Sequence, residues 1–339
     1  MGPNRIDVHH HFVPDFYRQG TFSFPWTYKS DLLTSRTVTA LEVSGGDPSG
    51  WFIPEWTPEL DQKVNDKFGI TTTILSLTAP GACILKDPQA SANLARQANE
   101  FCAKLRDERP NEYGFFAALP NLLDKELTLK EIAYAYDVLK ADGVVLFTRY
   151  GEGNHYLGHP DFKDIWKELN RRSAVILVHP THPVDTAQVS GLPQPVIRYP
   201  FETTQTAIDM LHNKTVRNNP KCKIILSHAG GTLPYLIGRP TSVINKTKED
   251  ADAFWEDARN FYYDTAVAGT ENVLSILEKF AKPGHILYGS DNPYANNDII
   301  DFHTSRQDAY RFQDPALAAQ VNRENALALF PRLKSQVLN

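Results

Sequence analysis

Four short stretches place groups able to hold a cation or move a proton directly after apolar runs. They are Asp7-Val8-His9-His10-His11, Ile176-Leu177-Val178-His179, Ile225-Leu226-Ser227-His228 and Tyr288-Gly289-Ser290-Asp291. Side chains alternate along a strand, so His9 and His11 face one side while His10 faces the other. Two imidazoles at that spacing can chelate one ion, and a third imidazole with a carboxylate completes a ligand set. Each fragment alone is weak, because a histidine at a strand end is commonly no more than a satisfied polar group. Their recurrence after four apolar runs, the last followed by Asn292-Pro293, favours convergence of His9, His11, His179 and Asp291 on one metal, with His228 close by.

Such convergence requires strands whose ends gather at one place. Short β-branched or aromatic runs recur at 5–11, 71–78, 113–119, 143–148, 174–179, 223–228, 261–265 and 285–291. Several are unbroken apolar runs (VVLF, VILV, IIL), as expected of parallel strands covered on both faces. Between them, apolar residues at three- and four-residue spacing predict helices over 58–68, 90–108, 124–140, 162–172, 203–217, 272–280 and 315–329. Eight strands alternating with helices predict an α/β fold, a (β/α)8 TIM barrel, whose site lies at the C-terminal strand ends. A six-stranded open sheet is the alternative, since 113–119 and 261–265 are the weaker runs. No linker divides residues 1–339, which are read as one domain. The stretch 12–56, rich in Trp, Pro, Gly and Ser, reads as an insertion after the first strand that folds over the barrel mouth as a lid. Within it GGDPSG at 45–50 lacks the strand-to-helix setting of a phosphate loop and reads as a lid turn.

The bulk chemistry excludes other classes. With 42% hydrophobic residues and 22% charged, a substantial core is expected and disorder is not. The net charge of −5 comes without a basic stripe, which argues against nucleic acid. The three cysteines show no CxxC spacing, so neither a disulfide framework nor a thiolate zinc site is expected. No signal-like apolar core and no run of 18 apolar residues is present, so a cytoplasmic protein without membrane contact is expected.

The set DxHxH near the start, HP after the fifth strand, SHAGG after the sixth and GSDNP after the eighth resembles the amidohydrolase superfamily. More narrowly it resembles the aminocarboxymuconate-semialdehyde decarboxylase family, from Ile6 to Phe330, including Glu202-Thr203-Thr204, Gly238-Arg239 and Asn325-Ala326. The resemblance implies that His9, His11, His179 and Asp291 are metal ligands and that His228 is catalytic. Three neutral imidazoles with one carboxylate suit Zn2+, with Mn2+ the alternative. The fourth strand reads Val145-Leu146-Phe147-Thr148-Arg149, without the lysine that bridges two metals in binuclear relatives, so one metal is expected.

The resemblance also implies a homodimer and an arginine, Arg239, directed at a substrate carboxylate; Arg149 is a second candidate. Phe52, Trp26, Phe24, Phe147, Phe201 and Tyr294 are candidate walls for an aromatic ring. Asp7 could orient a ligand imidazole or serve the barrel floor. His10, His155, His159, His182, His212, His285 and His303 are assigned to structure or surface. The implied activity is non-oxidative decarboxylation of an ortho-hydroxy aromatic acid such as 6-methylsalicylate, with no organic cofactor. The rival keeps the same residues but hydrolyses a lactone, ester or amide.

Overall fold

The unbroken apolar runs become the staves of a barrel. In the computed structural model, which describes residues 4–18, 49, 51, 53–185 and 191–334, eight strands run parallel in sequence order. They are β1 (Arg5–Phe12), β2 (Ile70–Leu77), β3 (Tyr113–Ala117), β4 (Gly143–Phe147), β5 (Val175–His179), β6 (Lys223–Leu226), β7 (Tyr262–Asp264) and β8 (Ile286–Leu287). The barrel closes because the chain beyond β8 pairs with β1: His11 N–H donates to the Asn292 carbonyl at 2.7 Å and Asp291 N–H to the His9 carbonyl at 2.9 Å. The eight-stranded arrangement, not the open six-stranded sheet, is the one formed.

One principal helix follows each strand: α1 (Pro58–Phe68), α2 (Pro88–Glu108), α3 (Lys125–Asp137), α4 (Lys163–Arg171), α5 (Gln194–His212), α6 (Lys248–Arg259), α7 (Glu271–Phe280) and α8 (Asn297–Ala309). Local chemistry sets their ends. In α1 the Thr57 hydroxyl accepts the Leu60 N–H, Pro58 starts the first turn, and Gly69 ends it in the left-handed conformation.

Three helix expectations need correction. α5 begins nine residues before 203, because Pro195 occupies its first turn and Pro200 is carried inside it. Residues 315–329 are not one helix but short pieces around a π turn at Gln320–Glu324. α6 and α8 carry few apolar residues at core spacing, and the apolar pattern missed both; α6 buries only Phe254, Asp257 and Ala258.

Two apolar layers follow from strand alternation. Inside the barrel, Val145, Leu177 and Ile225 meet Ile6, Val8, Ile74, Phe116 and Leu287, and Leu329 and Phe330 pack onto the same cluster. Outside it, Val144, Leu146, Ile176 and Val178 pack under the helices. His179 continues the inward face of Val175 and Leu177, which is why it ends in the barrel mouth. No helix of the described residues is long and apolar enough to cross a membrane.

Candidate active site

At the C-terminal strand ends the structure brings His9, His11, His179 and Asp291 together, one potential ligand atom from each lying within 4.8 Å of the others. Asp291 Oδ1 is 3.5 Å from His9 Nε2 and 3.3 Å from His11 Nε2. The inward aim of both β1 imidazoles depends on a register slip against β2 between Asp7 and His10. Without it, His9 could not share the barrel interior with Val8.

The same slip turns Asp7, for which two roles were open, away from the cluster. Its carboxylate does not reach a ligand imidazole; it pairs with Nδ1 of His10 at 2.9 Å and accepts the backbone N–H groups of His9 and Ser290. His10 is fully buried between Asp7 and Asp61 of α1. Burial opposes its charge, but Asp61 and Asp7 outweigh that and raise its pKa to about 10.

Each of the three imidazoles has its Nδ1 engaged elsewhere. His9 Nδ1 lies 2.8 Å from Asp264 Oδ2, His11 Nδ1 3.0 Å from Ser76 Oγ, and His179 Nδ1 2.7 Å from the Pro180 carbonyl. Those partners orient the rings and leave Nε2 directed at the cluster. Nε2 of His9 is buried without a hydrogen-bond partner, a cost expected of a ligand atom whose partner is an ion. The donor set of three imidazoles and a carboxylate therefore fits a single divalent cation.

The charges differ among the three rings: burial opposes a charge on His9, but Asp264 and Asp291 outweigh it and raise its pKa to about 10, so an ion entering there must displace a proton. Burial holds His11 below its ordinary pKa; at His179 burial and then the neighbouring His11 and His9 do the same, which keeps both imidazoles neutral. Burial would raise the Asp291 carboxyl, but the imidazoles of His11, His228 and His9 gathered around it override that and hold the group well below the usual carboxylate range. Asp291 and His228 both occupy left-handed backbone, at φ +66° and +53°. His228 Nε2 stands 3.8 Å from Asp291 Oδ2.

A cavity of about 310 Å³ opens over the cluster, lined mainly by apolar groups that include Trp51, Val196, Tyr199, Val267, Tyr294 and Ile299. Tyr294 lines the cavity, its ring 5.7 Å from that of His11. Phe147 is buried behind His179, 6.3 Å ring to ring, and is not among the lining residues. Arg239 is exposed on the helix Gly238–Ile244 and does not line the cavity within one chain. Arg149 is buried, donating to the carbonyls of His182, Gly151 and Gly153, so its charge serves the loop. Phe201 is half exposed on α5. Trp26, Phe24 and Phe52, and most of the stretch 12–56, lie outside the described residues.

Sequence reasoning missed Asp264. It sits at the end of β7, fully buried, and its second oxygen accepts the His228 N–H at 2.9 Å. A carboxylate closing the strand Tyr262–Asp264 repeats the pattern that marked the other strand ends, and that was the available signal. It also missed the cavity wall from 195 to 200, which lies before the helix expected from 203 and was assigned to no element.

Residues 6–332 match the family model described as Amidohydrolase. The chain is similar to a 6-methylsalicylic acid decarboxylase of Aspergillus aculeatus, with 49% identity covering 99% of this chain and 98% of the relative. It is 48% identical to the 6-methylsalicylic acid decarboxylase of Penicillium expansum, covering 97% of each. Among solved structures, it superposes on a protein titled amidohydrolase II with a TM-score of 0.81 at 27% identity, covering 96% of this chain and 99% of that one.

Proposed function

The chain belongs to the amidohydrolase family, and from that premise we propose a metal-dependent, non-oxidative decarboxylase of an ortho-hydroxy aromatic carboxylic acid. The first substrate is 6-methylsalicylate, yielding m-cresol and CO2. The observation that carries this reading is the meeting of His9, His11, His179 and Asp291 beneath an apolar cavity. It occurs in a chain about half identical, over its whole length, to proteins named for that reaction.

In this reading the three Nε2 atoms and one Asp291 oxygen hold the ion. Zinc is preferred for three neutral imidazoles and a carboxylate, with manganese the alternative. Bound there, a divalent cation supplies positive charge against which the substrate's phenolate and carboxylate oxygens are held. The remaining work falls to the chain.

The ring carbon bearing the carboxylate must gain a proton before its bond to the carboxyl carbon can break. Asp291 rests as an anion, so it must first be given that proton, and His228 is the neighbour able to supply it. Asp291 passes it to the ring carbon. The bond to the carboxyl carbon then breaks, its electron pair restores aromaticity, and CO2 departs carrying no proton. His228 recovers its own from solvent at the cavity mouth. Val196, Val267 and Ile299 give a flat ring and a methyl group an apolar seat.

Ser49 and Trp51 on the cavity wall support the stretch 12–56 as a lid. The exposed apolar side chains Tyr235 and Val243, on either side of Arg239 in sequence, support a homodimer in which that arginine faces a second copy. Incubation with 6-methylsalicylate should release equal amounts of CO2 and m-cresol. Turnover of a lactone, with no CO2 from any hydroxybenzoate, would favour the hydrolase instead.

A further inference from the structure

A second group of imidazoles and carboxylate lies where a two-stranded hairpin meets the approach to α4. His155 is in the returning strand, His155–Tyr156, while His159 and Asp161 flank Pro160 at the 3-10 turn Pro160–Phe162. His155 Nε2 is 3.6 Å from Asp161 Oδ2, and His159 Nδ1 is 3.3 Å from the same oxygen. Ligand atoms from all three residues lie within 4.8 Å of one another, and the two rings are 4.3 Å apart.

The two distances to Asp161 are close to those of a coordination sphere, in which donors bonded to zinc at about 2.0–2.1 Å in a tetrahedron stand about 3.3–3.4 Å from each other. Nδ1 of His159 carries no proton, since it accepts the Asp161 N–H in a long 3.3 Å hydrogen bond, and an ion would have to draw that lone pair away from the amide. Nδ1 of His155 has no hydrogen-bond partner, so nothing ties its tautomer and Nε2 is able to present a lone pair. An ordinary ion pair would need one imidazole, whereas here two converge on one carboxylate oxygen. Asp209 adds negative charge beside His159, its carboxylate accepting the Gly158 N–H at 2.7 Å.

We propose that His155, His159 and Asp161 form a second divalent-metal site, zinc being the preferred ion, with water completing its coordination. The site is separate from the barrel cluster and shares no residue with it. An ion there would fasten the hairpin to the turn before α4. The opposite hairpin strand, Arg149–Tyr150, carries the guanidinium that holds the His182 carbonyl, in the loop that follows His179. The site thus braces that loop without touching the cavity.

The test is equilibrium dialysis of the full chain against zinc alone, with bound metal counted per chain. Wild type should hold one equivalent more than the His155→Gln/His159→Gln double variant, and that equivalent should be the weaker. The difference is read whether or not the barrel cluster is filled, and His179→Ala should keep the peripheral equivalent. Asp161→Asn, a conservative exchange at an exposed position, should also lose it. Zinc added beyond the first equivalent should raise the melting temperature of wild type but not of the double variant. Equal zinc content in wild type, the double variant and Asp161→Asn would overturn the site.

Discussion

Asp264 lies 2.8 Å from Nδ1 of His9, and both side chains are fully excluded from solvent. With its other oxygen Asp264 accepts the backbone N–H of His228. One carboxylate therefore fixes the ring of a proposed ligand and the main chain of the proposed proton carrier. Asp264→Asn keeps the shape but removes the charge and one acceptor. It should weaken metal affinity 10–100-fold, as loss of such partners generally does. Competition with a chromophoric chelator measures this, and wild-type affinity in the variant would remove Asp264 from the account.

His228 approaches Asp291 without joining the four potential ligands. His228→Gln should keep its metal and lose about 10²–10⁴-fold in kcat, the usual contribution of a general acid–base group. Loss of metal along with activity would instead make His228 a ligand.

Gly231 closes a run of left-handed residues that begins at His228, and a β-carbon there would come 2.1 Å from the Pro200 carbonyl oxygen of α5. Gly231→Ala carries about 1–3 kcal/mol of backbone strain in addition to that clash. Its melting temperature should fall by several degrees and kcat should fall with it, because His228 and the Pro200 wall move together. Unchanged melting would mean that the run is pliable.

Much of the site was legible because strand ends carry their chemistry in consecutive letters. His9, His11, His179 and Asp291 each follow an apolar run, and the fold brings those ends together. What escaped depends on relationships no local pattern holds. The two roles open to Asp7 could not be told apart because the slip between Asp7 and His10 breaks simple alternation. Asp61 reaches His10 from a helix. The cavity wall at Val196 and Tyr199 was hidden because it belongs to the part of α5 that precedes 203, which carries Pro195 and Pro200 within it. α8, with Phe302 exposed, has a weak apolar stripe and left no clear trace.

Stability should depend on His182 at acid pH. Burial, followed by the charge of Arg149, lowers its pKa to about 4, against 6.5 ordinarily. Between those values the unfolded chain binds a proton that the folded chain does not. Above about pH 6.5 the ring is neutral in both states and contributes nothing; as the pH falls towards 4 the folded chain loses stability, by roughly 3 kcal/mol. His182→Gln should flatten the decline in melting temperature over that interval. An identical decline in both proteins would assign the acid sensitivity elsewhere.

Turnover of 6-methylsalicylate by metal-stripped protein, followed as zinc or manganese is added, bears most directly on the four converging side chains. Activity should be absent at the start and rise in proportion to added ion up to one equivalent per chain, and His179→Ala should stay inactive throughout. Full turnover by the stripped chain, or recovery of His179→Ala at one equivalent, would contradict the assignment.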